Sequence, residues 1–238
     1  MKLRNSLIIG ILFTTGFIGI FLGIRSATRD QGTSNILRRS YLFNEKIWSM
    51  VQSTERLSVN KPLPPPTKEP RVNGMLGLKT DLELKNYKIK IDQPKKSLTL
   101  QVEDFKLIPK TDYSTDFRCI EGWSEELHYA GARFSDFMEK YDLGKKPDGS
   151  FYQYVGLETP DGLYYVSIDM ESMLHPQTVI AYEMNQHPLS LNNGAPIRLV
   201  IPIKYGIKSL KRIGRIFFSD SRPRDYWAER GYDWYSGL

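Results

Sequence analysis

"TDFRCIEGWSEE", residues Thr115–Glu126, carries Cys119, the only cysteine among 238 residues. Arg118 stands directly before it, and Gly122 and Trp123 follow closely. One cysteine excludes an intrachain disulfide. It also excludes the common structural zinc and iron–sulfur patterns, which need several thiolates. Three readings of Cys119 remain open from the residues alone. It is a small buried hydrophobe, or a nucleophile activated by a base, with His128 the nearest histidine. In the third reading it is one soft ligand to a metal whose other ligands arrive with a cofactor. Arg118 would then help to hold the sulfur as thiolate.

The segments around this stretch read mostly as strands. "LELKNYKIKI" (Leu82–Ile91) and "SLTLQV" (Ser97–Val102) alternate apolar and polar residues on either side of a proline turn. "DGLYYVSIDM", "APIRLVIPI" and "IGRIFFSD" are further strand candidates. "RFSDFMEKYDLG" (Arg133–Gly144) reads as a helix with Phe134, Phe137, Met138 and Tyr141 on one face and Gly144 as its stop. Strands outnumber helices and do not alternate regularly with them, so the expected class is α+β.

The N-terminal part has a different character. Ser6–Ile24, "SLIIGILFTTGFIGIFLGI", is a run of 19 residues without a charge. At ~1.5 Å per residue it spans most of a ~30 Å hydrocarbon core. It is longer than the ~7–15-residue apolar core of a signal peptide, and no clean A-x-A site follows. A retained single-pass anchor over residues 1–24 is therefore expected, with a cleaved signal as the alternative. "ILRRSYLFNEKIWSMVQSTERL" (Ile36–Leu57) reads as a juxtamembrane amphipathic helix, with Arg38 and Arg39 near lipid headgroups. "KPLPPPTKEP" (Lys61–Pro70) reads as a stiff extended linker. The expected organisation is an anchor over 1–24, helix and linker over 25–70, and the main domain over 71–238.

The net charge of +6 is compatible with an anionic membrane surface or an anionic cofactor. The basic residues are scattered and no nucleic-acid motif is present, so no nucleic-acid partner is expected. Two clusters concentrate the charge. "NNGAPIRLVIPIKYGIKSLKRIGRI" (Asn192–Ile216) sets Arg198, Lys204, Lys208, Lys211, Arg212 and Arg215 among glycines and apolar residues. It reads as a phosphate-binding segment or as a solvated basic face. "RPRDYWAERGYDWY" (Arg222–Tyr235) is dense in arginines and aromatics, and either packs on the domain or lines an oxyanion pocket.

"RVNGMLG", "RCIEGWS", "HPQTVIAYEMNQHPL" and "NNGAPIRLVIPIKYGIKSLK", in that order, resemble the molybdopterin-binding domain of the sulfite oxidase family. The resemblance runs from about Arg71 to the C-terminus, and points in particular to the bacterial group that includes the catalytic subunit of periplasmic methionine-sulfoxide reductase. It implies a mononuclear molybdenum held by one pterin dithiolene and by the Cys119 thiolate. It implies further that Asn73, Thr159, Asn193, Arg198, Ser209 and Lys211 bind the cofactor. Tyr232, in "WAERGY", and Arg71 would serve the substrate site, and Arg118 and Trp123 would surround the metal ligand.

Some positions depart from the family's pattern. Ser124 stands where sulfite oxidases carry an arginine, and Asn193 where they carry a histidine. Within these 238 residues nothing resembles the family's C-terminal dimerisation domain or haem module, so neither is expected here. The resemblance thus implies oxygen-atom transfer on a small sulfur- or nitrogen-oxide substrate, with a sulfoxide favoured over sulfite, and a separate membrane haem protein as electron partner. A non-catalytic pterin-binding or accessory subunit of a membrane electron-transfer complex is the alternative. The count of basic residues places the large domain in the cytoplasm; family analogy places it in the periplasm.

Overall fold

The structure is a computed structural model and describes residues 2–26, 29–30, 33–51, 57, 70–78 and 84–237. The chain divides into two units, Met1–Gln52 with Glu229–Asp233, and Ser53–Ala228 with Trp234–Leu238.

The first unit holds helix α1 (Lys2–Ser26), the short strands β1 (Arg29–Asp30) and β2 (Thr33–Ser34), and helix α2 (Asn35–Val51). Ser6–Ser26 of α1 is long and apolar enough to cross a membrane, and none of it is buried within the protein. A helix satisfies its backbone polar groups internally, which makes it compatible with hydrocarbon. Thr14 and Thr15 also return their hydroxyls to the carbonyls of Gly10 and Ile11, at 2.9 and 2.8 Å. The helix expected over Ile36–Leu57 is matched by α2 over Asn35–Val51, and Leu57 is not helical. The expected linker Lys61–Pro70 lies outside the described residues, except for Pro70.

The second unit contains β3 (Lys88–Gln93), β4 (Lys96–Gln101), α3 (Val102–Lys106), β5 (Lys110–Arg118), β6 (Ser124–Arg133), α4 (Phe134–Tyr141), β7 (Tyr154–Glu158), β8 (Tyr165–Asp169), α5 (Met170–Met173), β9 (Val179–Met184), β10 (His187–Pro188), β11 (Arg198–Val200) and β12 (Arg215–Ser219). They form two five-stranded sheets. One runs β10-β9-β6-β5, with β11 also paired to β9; the other runs β4-β3-β12-β7-β8. Every pair is antiparallel except β3 with β12. This is the expected α+β class.

The main core fills the space between the sheets. Ile89, Ile91, Val155, Leu157, Val166, Ile168, Ile216 and Phe218 contribute from one sheet, and Ala132, Ile180, Tyr182 and Leu199 from the other. A second cluster, including Tyr113, Leu127, Tyr129, Val179, Ala181 and Val200, covers the opposite face of the β5–β6–β9 sheet. Strand β9 therefore has both faces buried over Val179–Tyr182, which is why "VIAY" reads as a continuous apolar run.

Two expectations shift in detail. Leu84–Asn86, read as part of a strand, is a 3₁₀ turn, and the strand begins only at Lys88. The Tyr87 phenol donates to the carbonyl of Ile213 at 2.8 Å, so tertiary anchoring overrides the local alternation. Helix α4 ends at Tyr141, and Asp142 takes the left-handed cap ahead of Gly144.

Candidate cofactor site

The quoted stretch is the tip of the β5–β6 hairpin. Arg118 pairs with Ser124, and between them the Cys119 amide donates to the Trp123 carbonyl at 2.9 Å. The Gly122 amide donates to the Cys119 carbonyl at 3.0 Å, and Gly122 has φ +88°. A glycine takes that conformation without the clash a Cβ would bring. The turn fixes Cys119 at its first position, and the cysteine is 8% exposed.

A network surrounds the sulfur. The Asn73 side-chain amide lies 3.9 Å from Cys119 Sγ and donates to Glu121 Oε2 at 3.0 Å. Trp123 Nε1 donates to the same carboxylate oxygen at 3.1 Å. The Arg71 guanidinium lies 4.5 Å from the centre of the Trp123 ring, a cation–π contact, and the Arg71 amide donates to Glu125 at 2.9 Å. The Arg118 guanidinium instead approaches Asp116 on its own strand, at 3.9 Å. Burial, with the charges of Asp225 and Cys119 among the further causes, pushes the Tyr164 phenol well above its ordinary range. Its hydroxyl donates to the Ile207 carbonyl at 2.5 Å. Glu121 and Tyr164 are not among the residues to which the sequence motifs point. An acid two positions after the cysteine was the available signal for Glu121; Tyr164 gave none.

The basic segment sorts into two groups. Lys204 pairs with Asp169 at 3.2 Å, Lys208 with Asp225 at 2.5 Å, and Arg215 with Asp92 and Glu158 at 2.6 and 3.4 Å. Arg212 donates to the carbonyls of Ala195, Leu78 and Leu191. These four hold the fold.

Arg198 and Lys211 differ from the three ion-paired cations. Arg198 is 3% exposed and donates to the carbonyls of Asn193 and Ser209 at 3.1 and 3.3 Å, with the rings of Tyr129 and Phe117 5.4 and 5.6 Å away. Lys211 Nζ donates to the carbonyls of Asn73, Gly74 and Asn192, at 2.6, 3.2 and 2.9 Å. No carboxylate pairs with either among the described residues. Burial, reinforced by the Arg198 charge, pulls the Lys211 ammonium down from 10.5 to about 8. Desolvated positive charge without a counter-charge is costly in a fold, and fits a site that receives an anion.

Local structure places these groups. Ser190 caps the 3₁₀ turn Leu191–Asn193, accepting from the Asn193 amide, and Asn193 Nδ2 donates to the same hydroxyl at 3.0 Å. Gly194 closes the turn at φ +100°, where an added Cβ would lie 2.9 Å from Lys211 Cβ. The Ser209 hydroxyl accepts from the Ile201 amide at 3.4 Å. Arg198 thereby ties the Asn193 turn to the Ser209 loop, and Lys211 ties the Asn192 turn to the Asn73 segment beside Cys119.

Of the residues named from the sequence, Cys119, Asn73, Lys211, Arg198, Asn193 and Ser209 form this linked set, with Arg71 joined through Trp123. Thr159 is engaged in its own turn: its hydroxyl donates to Asp161 at 2.6 Å and accepts from the Tyr164 amide at 3.1 Å. Tyr232 is 40% exposed and belongs to the first unit. The candidate metal ligand is a lone thiol: no group of three or more His, Cys, Asp or Glu that could hold a metal occurs among the described residues.

The profile of the oxidoreductase molybdopterin binding domain matches residues 76–227. The chain belongs to this family. Its cofactor is a molybdopterin, and the site fits one: a single soft sulfur beside an amide, with two cations lacking carboxylates at the other end. The chain is 32% identical over 182 residues to the protein-methionine-sulfoxide reductase catalytic subunit MsrP of Campylobacter jejuni, covering 68% of this chain and 60% of that protein. It is 29% identical over 157 residues to the MsrP of Ralstonia nicotianae, covering 59% and 46%. The chain thus spans about half to three-fifths of the length of these curated relatives. Among solved structures, the sulfane dehydrogenase SoxCD of Paracoccus pantotrophus superposes with a TM-score of 0.52 at 21% identity, over 60% of this chain and 40% of that one. That likeness establishes the shared fold.

Proposed function

We propose that the chain is a membrane-anchored molybdenum-pterin oxidoreductase that moves an oxygen atom to or from a small sulfur- or nitrogen-oxide substrate. A sulfoxide is the preferred class. The observation that carries this reading is the linked set itself: Cys119 at one end, and the carboxylate-free pair Arg198 and Lys211 at the other. The bound cofactor supplies two-electron redox chemistry and oxygen-atom transfer. The residues of the chain bind it, orient it and tune access to it.

In this reading Cys119 ligates the metal as thiolate, and Asn73 donates to the sulfur. Hydrogen bonds to a ligating sulfur adjust both its orientation and the metal's potential. Arg198 and Lys211 take the cofactor's phosphate, with the turns of Asn193 and Ser209 positioned around it. Thr159 acts through the turn that it closes. Arg71 is assigned to the substrate. Glu121 bears on substrate choice: a carboxylate joined to the metal ligand through one amide repels an anion such as sulfite and tolerates a neutral sulfoxide. Reduction of a sulfoxide takes two electrons and two protons and releases the sulfide and water. The electrons are assigned to a membrane haem protein beside α1, which anchors the chain.

The test is the metal and pterin content of the detergent-purified full chain, wild type beside Cys119→Ser. About one molybdenum and one pterin per wild-type chain is expected, as the family's mononuclear site requires. The mutant should show an altered metal-centred resonance and lost turnover with the fold retained. Turnover that survives the substitution would remove Cys119 as the ligand. A pterin-loaded wild type with no turnover on sulfoxides, sulfite or N-oxides would favour an accessory subunit.

A further inference from the structure

We propose that helix α2 lies along the membrane surface, with its apolar face in the boundary between headgroups and acyl chains and its basic flank on anionic lipid. The proposal rests on the reading of α1 as a membrane anchor.

The two sides of α2 are unequal. Arg38, Tyr41 and Glu45 are half-buried and recur on one side of the helix, so Arg38, expected near headgroups, faces away from the apolar stripe and Arg39 alone of that pair flanks it. The opposite side carries Ile36, Phe43, Ile47 and Met50, which are 46%, 64%, 43% and 72% exposed. At ~100° per residue these four fall within an arc of ~60°. An outward face made of large apolar residues is unfavourable in water at ~25 cal/mol per Å². Arg39 and Lys46 lie along one edge of this stripe and are exposed. A stripe of large apolar residues edged by basic ones is the pattern of a helix lying in a lipid interface.

Chain geometry places α2 where such a surface would be. Arg29 pairs with Ser34 and Asp30 with Thr33, so the chain turns back on itself after α1. With 3.8 Å per Cα step and ~5 Å across the pair, α2 begins within ~20 Å of the end of α1. A helix starting that near the exit of a spanning segment is within reach of the headgroup layer. The basic edge selects lipid over an apolar protein groove, because juxtamembrane Lys and Arg residues are attracted to anionic headgroups at about 1 kcal/mol each.

The experiment uses the full chain reconstituted in phosphatidylcholine vesicles with and without phosphatidylglycerol. Nitroxide labels are placed singly by Phe43→Cys, Met50→Cys and Leu42→Cys; Leu42 is 47% exposed and lies away from the stripe. The wild type, labelled in parallel, gives the background from buried Cys119. Collision rates with oxygen and with a water-soluble nickel chelate are read at each label. Labels at 43 and 50 should be several-fold richer in oxygen contact and poorer in nickel contact than the label at 42. Nickel access equal at all three would overturn the inference, and so would shielding of 43 and 50 from both reagents, which would mark a protein cover. An Arg39→Gln/Lys46→Gln double variant should lose nickel protection in the anionic vesicles; unchanged protection there would overturn the assignment to anionic lipid. Resistance to carbonate extraction reports α1 separately. A retained chain whose labels meet nickel sinks the α2 inference alone, whereas an extracted chain sinks both readings.

Discussion

The lysine at the anion end of the site gives the most quantitative prediction. Burial and the neighbouring Arg198 hold Lys211 at about 8 rather than 10.5. Between these values the unfolded chain binds more protons than the folded one, so the stability of the apoprotein should rise with pH across that window. Anion binding runs the other way, because the anion needs the ammonium. With a pKa of about 8, roughly nine-tenths of Lys211 is charged at pH 7 and about one-tenth at pH 9, so the affinity for an anion should fall roughly tenfold between them. Sulfate is the suitable probe, since it stays a dianion over this range and mimics a phosphate. The assay is protection of the full-length apoprotein against thermal unfolding by sulfate, titrated at pH 7 and pH 9. Lys211→Met should remove one charge-assisted hydrogen bond, about 2 kcal/mol or some thirtyfold in affinity at pH 7. That variant should also show no pH dependence from this group. Lys211→Arg should keep the affinity at pH 7 and lose the slope, because a guanidinium stays charged throughout. A wild-type affinity that is flat from pH 7 to 9, or a slope that persists in Lys211→Arg, would refute the assignment of Lys211 as the titrating anion ligand.

Three further outcomes follow from the geometry. Gly194→Ala forces a side chain onto a residue at φ +100°, with its Cβ 3.0 Å from the Arg212 amide nitrogen; a loss of about 1–3 kcal/mol is expected by denaturant unfolding, together with reduced pterin content. Asp225→Asn strips the carboxylate from Lys208, which is 1% exposed and also donates to the Ser167 carbonyl at 3.2 Å; leaving that charge unpaired should cost about 3–5 kcal/mol, read in the same assay. Glu121→Gln should raise kcat/KM for an anionic substrate relative to a neutral one roughly fivefold, about 1 kcal/mol for a charge a few ångströms from the metal ligand in a partly solvated site. Equal change for both substrates would show that Glu121 acts only by holding Asn73 and Trp123.

Much of this arrangement is local and could be read directly. The apolar run of α1, the strands around Ile89 and Phe217, and the aromatic face of α4 each declare themselves within a dozen residues. What could not be read is pairing across the chain. Asp92 meets Arg215, Asp169 meets Lys204 and Asp225 meets Lys208, and no periodicity announces such partners. Arg71 stacking on Trp123, or Lys211 reaching the carbonyl of Asn73, likewise depends on the loops that the two sheets bring to one end.

That non-local pairing is what makes the basic segment informative. From composition, six cations between Arg198 and Arg215 could equally be a solvated face or an anion pocket. The fold brings carboxylates from elsewhere in the chain to three of these cations: Asp169 to Lys204, Asp225 to Lys208, and Asp92 with Glu158 to Arg215. Arg198 and Lys211 are held by carbonyls, as buried Arg212 also is; what sets the first two apart is that they act on each other, the Arg198 charge adding to the burial that lowers Lys211. Burial and the nearby Arg198 charge together lower Lys211, while Arg198 is held in place by the carbonyls of Asn193 and Ser209. The repulsion becomes useful only when a negative group lies between or beside the two. The strain in this corner and the function proposed for it therefore have one physical origin, and the sulfate titration probes both at once.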